Sequence, residues 1–319
     1  MKANPMNCPT CGEKAGKHGK DRSGLMRFRC AKCKRTFTEP HALANKKTSL
    51  PETVKVLRML LEGMSVRSCE RLTGMHRDTI LSLMVEAGES CRAFMAKSIV
   101  KFPAEILELD EQWAFIFCKR KHADRMGYGS DVGDRYVYTA IDRETKLLLC
   151  WHAAERSAEE TWQFVHKVYL AVGGRPHINT DGYSPYTSAV PLTFCHQVDY
   201  SQIIKHFQNG GDGQQRYSPG SIIKAEKKVL CGSVPDEAIG TSRMERFNLT
   251  TRMHNRRFTR LTNAHSKKQR NHDAMLGLYF AWYNWVRKHL SLKTTPAVAS
   301  GLADEPWTLE KLLTVAAAA

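Results

Sequence analysis

The sequence predicts a multidomain α/β protein, and three observations carry that reading. Two Cys-x2-Cys knuckles lie within the first 33 residues, helical periodicities follow between residues 49 and 90, and strands alternate with a helix from residue 104 onward. The 319-residue length suits two or three domains, and an apolar fraction of 42% excludes bulk disorder.

Residues 1–45 are expected to form a zinc ribbon. Cys8, Cys11, Cys30 and Cys33 give C-x2-C-x18-C-x2-C, which lets two tight turns present four thiolates to one tetrahedral Zn²⁺. Gly12 frees the first turn, and Phe28 and Phe37 flank the second knuckle where they can cover the metal. So short a segment has too little core to fold without its ion. Lys14, Lys17, Lys20, Arg22, Arg27 and Arg29 lie between the knuckles, which suits contact with phosphates; a purely structural ribbon is the alternative. The other six cysteines show no pairing rhythm and fit a reducing compartment. No signal-peptide core and no apolar run of roughly 18 residues is present, so a soluble protein without a membrane partner is expected.

Residues 46–100 predict a helix-turn-helix DNA-binding domain. Pro51 starts a helix with Val54, Leu57, Leu60 and Leu61 on one face, Ser65 caps a short second helix, and Gly74 turns the chain into a third helix over His76–Val85. Arg77 and Thr79 then open the recognition helix as DNA contacts. An ordinary helical linker is the alternative.

Residues 101–290 predict a mixed sheet with flanking helices. Ile106–Phe115, Arg135–Ile141 and Leu147–Trp151 read as strands, the last two joined by the turn 142–146. Ser157-Ala-Glu-Glu160 is a capping-box sequence opening a helix over Ala158–Val172, and Pro176–Thr180 is a strand running into Asp181. The Gly-rich, polar residues 207–241 read as an insertion or loop, a long helix covers about Ser242–Phe258, Asp273–His289 is helical, and 291–319 form a C-terminal tail.

Charge is concentrated. Of a formal net +16, residues 1–49 carry 12 Lys/Arg against 3 Asp/Glu, and residues 243–270 carry 9 against 1. Such clusters favour a polyanion through counterion release, whereas charge serving solubility alone would be spread more evenly. Within the second cluster Arg252, Arg256 and Arg257 are expected to track DNA phosphates, alongside Arg243, Arg246 and Arg260.

Three acids are the candidate catalytic residues. Asp110 lies in a strand within Leu-Asp-Glu-Gln-Trp, Asp181 follows a strand before Gly182, and Glu245 lies near the start of a helix, with Asn248 and Arg252 further along it. Hard divalent cations take oxygen ligands, and a pair of them can clamp the attacking and leaving oxygens of a phosphoryl displacement. Each acid also has an ordinary role open to it: a strand-edge charge for Asp110, a turn residue for Asp181, a dipole-matching acid for Glu245. Glu108, Glu111 and Asp142 are expected to be supporting or solvated acids.

At these residues the chain resembles the DDE transposases of the insertion-sequence-one family. Asp110-Glu-Gln-Trp113, Thr180-Asp181-Gly182 and Arg243-Met-Glu245-Arg-Phe-Asn248-Leu-Thr-Thr-Arg252 match the blocks bearing that family's three acids, and Tyr283-Asn284 through Leu292 with Thr295-Pro296 resembles a tail of related transposases. The resemblance implies a ribonuclease-H-like catalytic core holding two Mg²⁺ or Mn²⁺ ions at Asp110, Asp181 and Glu245. It further implies cleavage at element ends, 3′-hydroxyl transfer into target DNA, a homo-oligomer on double-stranded DNA, and a bacterial, nucleoid-associated location in the cytoplasm. A non-catalytic zinc-ribbon and helix-turn-helix regulator predicts no metal at the acids, and a nuclease of the same fold predicts cutting without joining.

Overall fold

A computed structural model describes residues 6–8, 10–20, 26–38, 48–207, 222–259 and 262–319. Arg22, Arg260 and the Gly-rich stretch 208–221 lie outside the described residues.

The N-terminal module is an antiparallel sheet in sequence order: β1 (Met6–Asn7), β2 (Lys14–Lys20), β3 (Met26–Cys30) and β4 (Thr36–Thr38). Both knuckles close in the same way. The Gly12 amide donates to the Cys8 carbonyl at 2.8 Å and the Lys34 amide to the Cys30 carbonyl at 3.1 Å, with φ of 73° and 59° at Gly12 and Lys34. Phe28 stacks on Phe37 with ring centroids 5.9 Å apart.

Helices α1 (Leu50–Leu61), α2 (Val66–Thr73) and α3 (Arg77–Ser98) follow. Ser49 and Glu52 form a reciprocal capping box at α1, and Ser65 accepts the Ser68 amide at 3.1 Å to cap α2. Gly74 ends α2 in the left-handed region at φ 71°. The expected third helix ends at Val85, yet α3 continues to Ser98 because Ala87, Cys91, Phe94 and Met95 keep an apolar face that meets α8 (Gln269–Trp285). The crossing is close. A Cβ on Gly88 would lie 1.9 Å from the Ala274 carbonyl oxygen, and one on Gly277 would lie 2.5 Å from the Gly88 carbonyl oxygen. Gly88→Ala is therefore expected to cost about 3 kcal/mol through forced separation of the helices, more than alanine's helix propensity returns. A lower urea midpoint measures it.

The central sheet has the order β10-β9-β8-β5-β6-β7. Its members in chain order are β5 (Ile106–Ile116), β6 (Gly133–Asp142), β7 (Leu148–Ala154), β8 (His177–Thr180), β9 (Asp199–Phe207) and β10 (Ile222–Cys231). The strands β5, β6 and β7 form an antiparallel meander, β8 lies parallel to β5, β9 parallel to β8, and β10 antiparallel to β9. That mixed order, with a helix between β7 and β8, fits a ribonuclease-H-like core. Helix α4 (Arg120–Met126) lies between β5 and β6, α5 (Ala158–Ala171) between β7 and β8, and α6 (Tyr186–Thr193) between β8 and β9. At α5 only half of the expected capping box forms: Ser157 accepts the Glu160 amide at 3.2 Å, while the Glu160 carboxylate turns to His152 at 2.5 Å.

Cross-strand partners share a face, so the two sides of the sheet can be told apart. Thr139, paired with Asp110, contacts Met244 of α7 (Ser242–His254); Tyr138, paired with Glu111, packs on Phe164 of α5. The expected long helix stops at His254, where Asn255 leaves helical geometry and a short 3-10 turn, Arg256–Phe258, follows. The expected insertion is in part sheet, since β10 extends the β9 edge. Residues 291–319, expected as a tail, contain α9 (Pro296–Ala299) and α10 (Leu309–Ala318), which buries Leu309, Leu312, Leu313 and Ala316 against α3 and neighbouring helices. No helix among the described residues is long and apolar enough to cross a membrane.

Candidate active site

Strand lengths create the site. Pairing of β5 with β8 stops at Glu108 and Asn179, and β8 itself ends at Thr180. Beyond that point no strand among the described residues pairs with Asp110 or Glu111 on that edge, and Asp181 emerges beside them at the carboxyl end of β8, where ligands gather in α/β sheets. One carboxylate oxygen from each of Asp110, Glu111 and Asp181 lies within 4.8 Å of the others.

Helix α7 fixes Asp110 from one face. Strand side chains two apart meet helix positions one turn apart. Glu108 accepts the Met244 amide at 2.8 Å, Asp110 accepts from Asn248 Nδ2 at 2.7 Å, and Gln112 Nε2 donates to the Asn248 carbonyl at 3.1 Å. The Glu111 amide donates to the other Asp110 oxygen at 2.7 Å. Glu245, 53% exposed at its side chain, pairs with Lys205 of β9 and accepts from Thr241 Oγ1 at 3.2 Å. It lines the same cleft of about 460 Å³ as Asp110, Asp181, Arg156 and Lys205. The structure thus brings Asp110 and Asp181 together and sets Glu245 on the lining of the same cleft, outside the close group.

Electrostatics match the crowding. Burial, then Asp181 and Glu245, push the Asp110 carboxyl up to about 7; burial, then Asp181 and Asp110, push Glu111 to about 7 against the pull of the Tyr186 hydroxyl and of Arg156. A raised folded pKa means the fold binds extra protons between the ordinary value of 3.8 and about 7, so Asp110 favours the fold at low pH and loses that contribution as pH rises through 7. Metal-free protein is expected to melt at a lower temperature at pH 7.5 than at pH 5.5 on this account. Added Mg²⁺, which binds the ionised form, is expected to narrow that gap, as a thermal-melt series would show.

The donor sets fit metals. Three hard carboxylate oxygens within 4.8 Å of one another suit a divalent cation. In the ribbon, Cys8 and Cys33 Sγ lie 3.5 Å apart, as do those of Cys11 and Cys30, and all four fall within 4.8 Å. Sulfurs of a tetrahedral zinc site with bonds of about 2.3 Å stand about 3.8 Å apart.

The basic residues divide. Arg77, exposed at the start of α3, and Arg256 and Arg257 line one groove of about 1250 Å³ with Lys267 and Lys268. Within it the Arg257 guanidinium turns inward, donating to Ser266 Oγ at 3.0 Å, and burial lowers its pKa to about 10. Thr79 and Arg252 are half-buried and do not line this groove. Sequence reasoning set Glu111 aside and had no signal for Arg156 or Lys205. It also placed Glu108 among supporting or solvated acids, and the structure buries it to 1% exposure against Arg143.

Residues 132–219 match the DDE domain family of the IS240 transposases. The chain carries a DDE-type transposase domain. Transposases of this type are enzymes. The matched segment contains Asp181 but neither Asp110 nor Glu245, so these two rest on the geometry above. Among solved structures, the piggyBac transposase synaptic complex with hairpin DNA is similar at 10% identity over 84% of this chain and 69% of that one, with a TM-score of 0.38. The Mos1 transposase paired-end complex with left transposon end (12% identity) and the Mos1 strand transfer complex (13%) each match over 49% of this chain, with TM-scores of 0.22. The chain spans about three fifths of those Mos1 chains, at 60% and 59%. No curated protein matches the chain.

Proposed function

We propose that this chain is a DNA transposase that binds the terminal repeats of an insertion sequence, cleaves DNA strands at its ends and transfers the 3′-hydroxyl to target DNA. The observation that carries the reading is the meeting of Asp110 and Asp181 where β8 ends, with Glu245 lining the same cleft. The order of the three acid blocks supports placement with the insertion-sequence-one family. Residues 1–45, 46–100 and 101–290 are taken as zinc ribbon, helix-turn-helix and catalytic domain, with Cys8, Cys11, Cys30 and Cys33 holding Zn²⁺ and the acids holding Mg²⁺ or Mn²⁺.

The divalent ions, when bound, would supply a lowered pKa for the attacking water or 3′-hydroxyl and charge stabilisation for the departing oxygen. The chain's own groups orient and position. Asn248 and the Glu111 amide hold the two Asp110 oxygens in fixed directions. Arg156 and Lys205 bring positive charge to the cleft wall, where a phosphodiester would lie. Arg243 and Arg246, exposed on α7, continue that charge outward, and the groove with Arg77 and Arg256 offers a second contact to duplex DNA, Thr79 and Arg252 lying nearby in sequence. DNA-bound protein would act as a homo-oligomer, since two element ends must be joined, in the nucleoid of a bacterial cytoplasm. The test is incubation with DNA carrying the flanking terminal repeats, with and without Mg²⁺. Mg²⁺-dependent nicked and joined products support the reading, and binding without either product contradicts it.

A further inference from the structure

We propose that Glu111 is a fourth acid of the cation site and that Arg156 is its competitor, so that this Glu–Arg pair sets how tightly the cleft holds a divalent ion. The inference rests on reading Asp110 and Asp181 as cation ligands. Strand alternation puts Glu111 on the α5 face and Asp110 on the α7 face, which in a continuous sheet would keep them apart. The end of β8 removes the strand between them and the ligand position, and Glu111 comes within 4.8 Å of both aspartates.

Glu111 is built like a ligand. Its side chain is only 2% exposed, yet one carboxylate oxygen, Oε1, is buried with no hydrogen-bond partner. The Tyr186 hydroxyl, also buried without a hydrogen bond of normal geometry, lies close enough to Glu111 to pull its pKa down, and a cation would compete with that hydroxyl as well as with Arg156. A carboxylate oxygen buried without a hydrogen bond of normal geometry is held at a cost that a cation would relieve. Its other oxygen accepts from Arg156 at 3.1 Å. Arg156 is held in turn over the Tyr183 ring at 3.8 Å, with Tyr136 at 5.5 Å, so the guanidinium can stay in the cleft without Glu111. A bound cation and Arg156 would neutralise the same charge. When the cation takes Glu111, the guanidinium is left facing the cleft, placed for a DNA phosphate.

The probe is Mn²⁺ alone, titrated into the full zinc-loaded chain and followed by calorimetry and by the paramagnetic resonance of free Mn²⁺. Glu111→Gln is expected to weaken Mn²⁺ binding by roughly tenfold or more. Arg156→Gln is expected to tighten it several-fold, because a competing charge is gone. A purely structural pair would not give opposite signs. If Glu111→Gln binds Mn²⁺ like wild type while Asp110→Asn does not bind, Glu111 is no ligand and the acidic site stands. If Asp110→Asn also binds unchanged, the reading of the cleft itself falls. Should Glu111→Gln fail to fold, Arg156→Gln decides alone: unchanged or weaker binding overturns the proposal.

Discussion

Asp110→Asn is expected to lower strand cleavage by about a thousandfold or more, with DNA-end binding and melting temperature nearly retained. The asparagine keeps the size of the side chain and can still accept from the Glu111 amide, so α7 stays docked through Glu108 and Gln112. It removes the charge and one oxygen ligand at the point where Asp181 and Glu111 converge. Removing one of three crowded carboxylates also relieves repulsion, which is why stability should hold or rise slightly. Gel analysis of nicked product against a binding isotherm separates the two effects. Equal loss of binding and cleavage would mean that Asp110 acts through structure.

Arg143→Ala is expected to cost about 3–5 kcal/mol and to reduce activity through Glu245 without touching it. Arg143 Nε donates to the buried Glu108 carboxylate at 2.9 Å, and its two other nitrogens donate to the Ala238 and Gly240 carbonyls at 2.8 Å each. Glu108 in turn accepts the Met244 amide at 2.8 Å, and Asn179 accepts the Gly240 amide at 3.1 Å. The approach to α7 is therefore tied to the sheet at both ends, and Glu245 sits one residue past Met244. Without the guanidinium, Glu108 is a buried charge with no ion partner, and burial already raises its pKa with Arg143 in place. Guanidinium-chloride unfolding gives the stability change. Cleavage at saturating Mg²⁺, in a temperature range where the variant is folded, gives the positional effect; full activity there would show that the tie does not orient Glu245.

Much of the fold could be read from local pattern. The strand expected at Ile106–Phe115 is observed as Ile106–Ile116, and the helix expected at Ala158–Val172 as Ala158–Ala171, because alternation and caps act within a few residues. What was missed depends on distant partners. Helix α6 carries Pro191 inside it, which hides its periodicity, and the C-terminal half of α3 is helical because α8 supplies a surface for Cys91 and Phe94. The site divides the same way. Asp110 and Asp181 stand out by their settings on strands, but Glu111 reads as a supporting or solvated acid, and only the tertiary fact that β8 ends at Thr180 brings it in. Glu245 is a candidate by its sequence block, while its pairing with Lys205 needs β9 in place. The buried tie between Glu108 and Arg143, 35 residues apart, carries no local signature at all.

Crystals of the full chain soaked in Mn²⁺ and measured at a wavelength with strong manganese anomalous signal test the site most directly. The expected result is anomalous density between the Asp110 and Asp181 carboxylates at the end of β8, lost in Asp110→Asn crystals soaked in the same way. Density elsewhere on the surface, with none in this cleft, would contradict the assignment of these acids as the cation-holding centre.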